Sequence, residues 1–109
     1  MITWDDFEKI DIRVGTIIAA SDFPKARQPA YQLSIDFGEQ GIKKSSAQIT
    51  KLYQKEALTG KQVIAVINFP PKQIADFFSE CLVLGVYNEN KEVVLLQPAQ
   101  PVKNGCKIG

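Results

Sequence analysis

Histidine is absent from this sequence, and cysteine occurs only twice, at Cys81 and Cys106, which form no CxxC pair. Without histidine, neither a Ser-His nor a Cys-His nucleophile can be assembled, and the usual zinc-ligand spacings are missing. Phosphate-binding glycine loops of the Walker and GxGxxG types are missing too. We therefore predict a protein that is not an enzyme and that holds no metal or other cofactor.

A strong net charge and a long apolar run are also missing. The 13 Lys and Arg residues nearly balance the 12 Asp and Glu residues, so the formal net charge is only +1. Because a dedicated nucleic-acid binder normally carries a basic excess or a basic face, any RNA contact is expected to be local. No apolar run approaches the ~18 residues of a membrane helix, and the sequence does not open with a charged-then-apolar leader. We expect a cytoplasmic protein without membrane insertion.

What the sequence does contain is the composition of one globular domain. Hydrophobic residues make up 45% of the 109 residues and charged residues 23%, which is ordinary for a folded soluble protein. A chain of this length buries roughly two thirds of the surface that its unfolded form exposes, so it needs no disulfide or metal to fold. We predict a single domain over residues 1–109.

Alternation of apolar and polar residues predicts strands through most of the chain, most clearly over residues 31–37. The predicted strands cover residues 11–20, 31–37, 42–48, 61–69, 80–87 and 93–97. A short helical turn is predicted after Thr3, which has an acid three residues on. Helix-like spacing over residues 49–58 predicts one more short helix. Gly15 in the first strand is predicted to mark a bulge or sharp bend.

Five main strands with a short helix between the third and fourth follow the order of an OB-fold. This fold is a small, partly open Greek-key barrel that binds oligonucleotides over one face and the loops beside it. We therefore predict an all-β, OB-fold five-stranded barrel with N-terminal and C-terminal extensions. Another small barrel is the alternative that the pattern alone leaves open.

The segment that joins the fourth and fifth predicted strands carries the most informative residues. Pro70 and Pro71 lack backbone N–H groups, so the fourth strand must leave the sheet there, and a polar bend follows. Cations after this double proline, in the third strand and in the first loop would converge on one rim of an OB barrel. Lysine and serine side chains suit an RNA backbone. A merely solvated rim is the alternative reading.

Four phenylalanines lie at predicted loops, which is more than a core alone requires. They are suited to stacking on bases or holding apolar peptide side chains, although core packing is the alternative for each of them. Neighbours on a strand face opposite sides, so one of Phe77 and Phe78 is expected to point away from the core. The predicted peptide-binding residues, which would line a partly exposed apolar groove, are Phe23, Arg27, Phe69, Pro70, Phe77 and Phe78.

Several segments taken together carry a family resemblance. They are DFEKIDIRVGTI, FPKARQPAYQLSIDFG, GIKKSSAQI, GKQVIAVINFPPKQIADFFSECLVLG and VVLLQPAQPVKNGCKIG. In this order they resemble the stand-alone tRNA-binding domain of the type appended to methionyl-tRNA synthetases, in its short bacterial, CsaA-type form. The specific part is DIRVG followed by N-x-x-P-x-x-I-x-x-x-x-S-E. The resemblance implies an OB-fold, a homodimer, tRNA binding and a chaperone role that assists the export of precursor proteins.

The resemblance also implies which segments contact RNA, namely residues 44–48 of the third strand and residues 72–80 after the double proline. The predicted RNA-binding residues are Lys43, Lys44, Ser46, Gln48, Lys72, Ser79 and Glu80. Of these, the resemblance supports Lys72, Ser79 and Glu80 most strongly. We predict that Lys44 and Lys72 contact the phosphates of the RNA backbone.

This sequence departs from synthetase-type domains within both segments. Ala47 and Gln48 stand where those domains usually have a Ser-Gly pair, and Gln73, Asp76 and Phe78 stand where they often have basic residues. Both departures lower the positive charge or change the shape of the predicted RNA surface, and they favour contact with apolar polypeptide. We predict a chaperone of unfolded or precursor polypeptides with tRNA-binding capacity. The alternative is a tRNA-binding accessory factor with RNA as its main ligand.

The two ends of the chain predict self-association. The stretch 93–102 is apolar and interrupted by proline, and it is longer than a five-stranded barrel needs. Trp4 and Phe7 add apolar surface at the other end. We predict that both termini contribute to the interface of a two-fold homodimer.

Overall fold

The computed structural model describes all residues, 1–109, and consists mainly of short strands. The elements are α1 (Trp4–Glu8), β1 (Ile12–Asp22), β2 (Tyr31–Asp36), β3 (Ile42–Ala47), β4 (Gln62–Val66), β5 (Lys72–Ile74), β6 (Phe77–Ser79), β7 (Leu82–Val83), β8 (Gly85–Tyr87) and β9 (Val93–Leu95). Single 3-10 turns lie at Gly38–Gln40 and Lys55–Ala57. None of the helices is long and apolar enough to span a membrane.

Five antiparallel strands form the main sheet, in the order β3-β2-β1-β4-β7. β1 is long enough to serve two partners, since residues 12–16 pair with β4 and residues 16–22 pair with β2. The resulting twist curls the sheet into a nearly closed barrel. The predicted OB-type barrel is thereby confirmed.

Hydrogen bonds between β3 and residues 79–81 bring the two edges of the sheet together. The Glu80 N–H donates to the Lys44 carbonyl at 2.7 Å, and the Lys44 N–H donates to the Glu80 carboxylate at 2.9 Å. We call this contact between β3 and residues 79–81 the seam. Farther inside the protein, the buried Ser45 hydroxyl donates to the Cys81 carbonyl at 3.1 Å. The segment after the double proline is therefore fixed to the barrel on the side of β3.

The core of the barrel packs around Ile17, Leu33, Ile35 and Phe37. Gly15 was predicted to mark a bulge or sharp bend, but the register shift between β1 and β2 lies at Ile17/Ala19 instead. At position 15 a Cβ atom would lie 2.7 Å from both Ile35 and Phe37, so glycine serves close packing there.

The predicted helix over residues 49–58 is wrong in extent, because only Lys55–Ala57 forms a 3-10 turn. Ile49 and Leu58, the ends of the apparent helical pattern, are buried in the core from an irregular segment. Tyr53 holds that segment in place, because its carbonyl accepts from the Tyr31 hydroxyl at 2.7 Å and its hydroxyl accepts from the Leu95 N–H at 3.0 Å. Tertiary contacts replace the helical hydrogen bonds.

The fifth predicted strand, over residues 80–87, is divided between two sheets. β7 pairs with β4 in the barrel, whereas β8 pairs with β9 in a separate hairpin. In the predicted polar bend, β5 and β6 form another two-stranded hairpin that sequence patterns did not reveal. These two hairpins stand beside the barrel and frame the site described below.

The C-terminal tail extends the sheet along the half of β1 that β2 does not reach. The Gly105 N–H donates to the Val14 carbonyl at 2.7 Å, and the Ile108 N–H donates to the Ile12 carbonyl at 2.8 Å. At the other end of the chain, α1 begins with a capping box between Thr3 and Asp6, as predicted.

Candidate nucleic-acid interface

A groove of about 510 Å3 lies between β3, the β5–β6 hairpin and the β8–β9 hairpin. We call it the lysine groove, after the three lysines among its lining residues. Its polar walls are formed largely by Ser46, Gln48, Lys51, Lys72, Ser79 and Lys91. Four of these residues, Ser46, Gln48, Lys72 and Ser79, belong to the predicted RNA-binding set, so the fold brings that part of the set together.

The electrostatics of the lysine groove favour an anion. Lys51, Lys72 and Lys91 are all exposed, and none of them belongs to the four ion pairs of the structure. Glu92 is the single carboxylate among the lining residues, and its Oε1 accepts from Asn88 Nδ2 at 3.0 Å. Positive charge thus collects in this groove although the whole chain is almost neutral.

The β5–β6 hairpin is held beside the groove by a small second core. The rings of Phe23 and Phe77 pack with their centroids 5.3 Å apart, and Ala30 and Ile74 pack with them. At the hairpin tip, Lys25 Nζ lies 2.9 Å from Asp76 Oδ2. This hydrogen-bonded ion pair holds the pKa of the Asp76 carboxyl below its usual range.

Cross-strand pairing gives the β5–β6 hairpin two different faces. Lys72 pairs with Ser79, and both line the groove. Gln73 pairs with Phe78 on the opposite side, which we call the outer face. Phe77 is buried whereas Phe78 is 54% exposed, so the prediction that one of the two rings points outward is confirmed.

Ser79 and Glu80 take part in closing the barrel. The Ser79 hydroxyl accepts from the Ser46 N–H at 3.1 Å and lies 3.3 Å from the Cys81 carbonyl, to which it donates. The carboxylate of Glu80 is occupied by the Lys44 N–H. Glu80 and the remaining residues of the predicted RNA-binding set, Lys43 and Lys44, lie outside the lining of the groove.

Two of the six predicted peptide-binding residues are unavailable to a ligand. Phe23 and Phe77 are buried against each other in the second core, so neither ring is exposed to a ligand. The other four, Arg27, Phe69, Pro70 and Phe78, are exposed. The apolar surface left for a ligand therefore comes from Phe69 and Phe78, which are 56% and 54% exposed.

Lys51, Tyr87 and Lys91 are among the groove residues that sequence reasoning did not predict. Lys51 lay within the predicted helix, Tyr87 ended the predicted strand over residues 80–87, and Lys91 lay between that strand and the next. Tyr87 and Lys91 could have been found from the sequence as an aromatic residue and a cation close to a turn between two strands. Loops beside the barrel carry ligand contacts in OB-folds.

The groups that line the lysine groove are suited to contacts with phosphate. Burial raises the pKa of Cys81 to about 11, so this thiol is protonated at neutral pH and is a poor nucleophile. No group of three or more Cys, Asp or Glu side chains is placed to hold a metal ion. Lysine ammonium groups and serine hydroxyls are instead the groups that contact phosphate oxygens.

A nearly closed five-stranded barrel with a lysine-lined groove on its side is the arrangement of a nucleic-acid-binding domain of the OB class. Comparison with known families specifies the class further. The chain belongs to the family described as "Putative tRNA binding domain", whose model matches residues 12–107. The family resemblance of the sequence is thereby confirmed.

Two crystal structures of chaperones are similar to the whole chain. Chaperone CsaA from Bacillus anthracis str. Ames is 54% identical, with a TM-score of 0.95 over 100% of this chain and 99% of that chain. The CsaA chaperone protein from Picrophilus torridus is 55% identical, with a TM-score of 0.94 over 100% of both chains.

Longer relatives contain this domain as one part. The methionine–tRNA ligase of Methanococcoides burtonii is 33% identical over 108 residues, which are 99% of this chain but 16% of the ligase. The chain thus spans about one sixth of the length of that ligase. The similarity concerns the appended domain, which is not the catalytic part.

Proposed function

We propose that the protein is a non-catalytic binding module that takes tRNA in the lysine groove. The observation that carries this proposal is the presence of three exposed lysines without ion-pair partners in one groove, beside the hydroxyls of Ser46 and Ser79. Such groups position a nucleic-acid backbone without reading its sequence. Membership of the tRNA-binding family supports the same ligand.

The location of the RNA is tested by NMR on the labelled protein during titration with unfractionated tRNA. We expect the largest amide shifts at Ser46, Lys72 and Lys91, which come from three separate segments that meet only in the folded groove. The C-terminal tail at Gly105 and Ile108 serves as an internal control, because it lies along β1 outside the groove. Shifts concentrated in the tail, with none in the groove, would contradict the proposal.

We further propose that the protein binds unfolded or precursor polypeptides and acts as a chaperone that assists their export. The structural observation in favour is the exposure of Phe78 on the outer face and of Phe69 after β4. Rings exposed to this degree provide contact area for apolar side chains. Similarity to CsaA chaperones over the entire chain supports the same role.

Affinity for a polypeptide is expected to be weak. Burying one aromatic side chain of a ligand contributes about 1.5 to 3 kcal/mol, and the ordering of both partners offsets much of that gain. Weak binding suits a chaperone, because the client must be released. It also means that the activity is better followed by suppression of aggregation than by an equilibrium constant.

The polypeptide role is tested by replacing one exposed ring. Phe78→Ala should reduce the suppression of aggregation of a chemically unfolded test protein, while Ile42→Ala, which shortens an exposed side chain on β3, should leave it unchanged. Light scattering during dilution from denaturant measures the effect. If the unaltered protein does not suppress aggregation, the polypeptide role fails. The alternative is then a tRNA-binding accessory factor without polypeptide clients.

The proposed assembly is a cytoplasmic homodimer formed through the termini. Ile2 and Trp4 are 78% and 80% exposed, and the Trp4 ring meets Phe7 edge to face at a centroid distance of 6.4 Å. Exposed apolar residues grouped in this way are typical of protein contact surfaces. A family whose ligand is tRNA supports a location in the cytoplasm.

A further inference from the structure

Tyr87 differs from the other two tyrosines of the chain. The hydroxyl of Tyr31 donates to a backbone carbonyl and that of Tyr53 accepts from a backbone N–H, so both rings have structural partners. Tyr87 makes no side-chain hydrogen bond, and it is 79% exposed at the end of β8, where it lines the lysine groove. The Tyr87 ring therefore contributes little to the stability of the fold.

The backbone that carries Tyr87 is nevertheless well braced. Asn88, the next residue, accepts through its side-chain oxygen from the N–H groups of Asn90 and Glu92 at 3.0 and 2.9 Å. Its own N–H donates to the Glu92 carbonyl at 2.9 Å. These bonds fix the turn that places Tyr87 and Lys91 on the same groove. Pre-organisation of this kind lowers the entropy cost of binding.

We propose that Tyr87 stacks on an unpaired base of the RNA whose phosphates the groove lysines contact, an inference that rests on the proposed RNA-binding function. Every base offers a π face to an aromatic ring, so such stacking tolerates any sequence. The bases of a helical stem are stacked on one another and unavailable to a side chain. The preferred ligand of the groove is therefore a single-stranded loop or end of the RNA.

Stacking and phosphate contacts respond differently to salt. A lysine contact releases counterions, so its removal changes the slope of log affinity against log salt. Stacking of an uncharged ring on a base releases no counterions, so its removal leaves that slope unchanged. Loss of Tyr87 should therefore lower the affinity for single-stranded RNA by the same factor at every salt concentration, whereas loss of Lys72 should reduce the slope.

The experiment measures fluorescence anisotropy with two labelled probes, a single-stranded RNA of about ten nucleotides and a duplex made from it. Tyr87→Ala should weaken single-strand binding about tenfold and leave duplex binding nearly unchanged. Tyr87→Phe, which keeps the ring, is the matched control and should bind the single strand as the unaltered protein does. Far-UV circular dichroism checks that each variant is folded.

Three results would overturn the proposal. One is equal single-strand binding by Tyr87→Ala and the unaltered protein, and another is an equal loss for both probes. The third is a change in sedimentation of Tyr87→Ala, which would place the ring in a contact between subunits. If the unaltered protein binds neither probe and tRNA causes no amide shifts in the groove, the RNA-binding function itself fails together with the stacking.

Discussion

Gly15 lies in β1 with its α-carbon against Ile35 and Phe37. An added Cβ atom would lie 2.7 Å from a methyl carbon of Ile35 and from two ring carbons of Phe37. Because these neighbours belong to the buried core, they have little room to move. The glycine is thus required because the side chains of Ile35 and Phe37 pack directly against its α-carbon.

Gly15→Ala should therefore destabilise the barrel by about 1 to 3 kcal/mol, the typical effect of an extra methyl group in a packed core. Urea unfolding followed by circular dichroism measures the difference. Gly109→Ala adds the same methyl group where no atom lies within 4 Å and serves as the control. Equal stability of the two variants would show that the neighbouring core side chains shift enough to accommodate the methyl group.

Lys91 is a second residue with an unusual backbone, since its φ is +60° in the turn that borders the lysine groove. L residues other than Asn and Asp rarely adopt this conformation, whereas glycine adopts it readily. Ala75, with φ of +54°, has the same kind of backbone conformation in the β5–β6 turn but does not line the groove.

Replacing either residue by glycine should raise stability by about 0.5 to 1 kcal/mol, because the strain is removed. Lys91→Gly should also weaken tRNA binding, whereas Ala75→Gly should leave it unchanged. Thermal unfolding and anisotropy with labelled tRNA measure the two effects in parallel. Weakened binding in both variants would indicate that the turns, and not the ammonium group of Lys91, matter to the RNA.

At the scale of elements, the seam between β3 and residues 79–81 holds the groove in shape. Its outermost bond joins the Lys44 N–H to the Glu80 carboxylate, and next to it the Ser46 N–H donates to Ser79. The same short segment thus closes the barrel and supplies a hydroxyl to the groove wall. Motion in the seam would therefore alter the site.

Glu80→Ala removes the acceptor of the Lys44 N–H and should lower stability by about 1 kcal/mol, the net contribution of one hydrogen bond. Amide hydrogen exchange is the sharper measurement, because exchange at Lys44 and Ser46 should accelerate while exchange in β2 at Ile35 stays slow. Glu39→Ala, in the exposed 3-10 turn, is the charge-matched control. Unchanged protection at Lys44 would mean that the backbone alone closes the seam.

Sequence patterns predicted elements well where one face of a strand is buried along its whole length. β2 alternates without interruption and was predicted to within one residue. The pattern failed where buried residues reach the core from irregular backbone, as at Ile49 and Leu58. It also failed at 80–87, because β7 and β8 are adjacent in sequence yet pair with different strands. Periodicity reports burial and does not report the pairing partner.

The site was less predictable than the fold because it exists only in the whole molecule. Ser46, Lys72 and Lys91 lie far apart in sequence and line one groove only because two hairpins stand beside the barrel. Of the predicted set, Glu80 uses its carboxylate in the seam, and the second core buries Phe23 and Phe77. Residue type and position along the chain do not distinguish these uses.

The two proposed binding surfaces include opposite faces of the β5–β6 hairpin. Lys72 and Ser79 face the groove, whereas Phe78, their neighbour in the same hairpin, lies on the outer face. The apolar residues of the termini form a third surface around Trp4 and Phe7, where Ile2 and Gly109 line the same hollow. RNA, polypeptide and a second copy of the chain therefore need not compete for one site.

The exposed apolar residues of the termini lead to a prediction about the oligomeric state. Trp4→Ser should shift the protein from dimer to monomer at micromolar concentration, because it removes the largest exposed apolar side chain of the termini. Ile18→Ser, at an exposed position of β1, is the control and should sediment like the unaltered protein. Sedimentation velocity measures both. A monomeric unaltered protein, or a dimer unaffected by Trp4→Ser, would contradict an interface at the termini.

The central claim, that the lysine groove binds RNA, is tested most directly by the salt dependence of tRNA affinity in two triple variants. Replacing Lys51, Lys72 and Lys91 by alanine removes the cations of the groove, and replacing Lys9, Lys61 and Lys103 removes equal charge elsewhere. If each groove lysine meets one phosphate, the first variant should lose about 2 from the slope of log affinity against log salt, while the second keeps the original slope. Equal slopes in the two variants would contradict the claim.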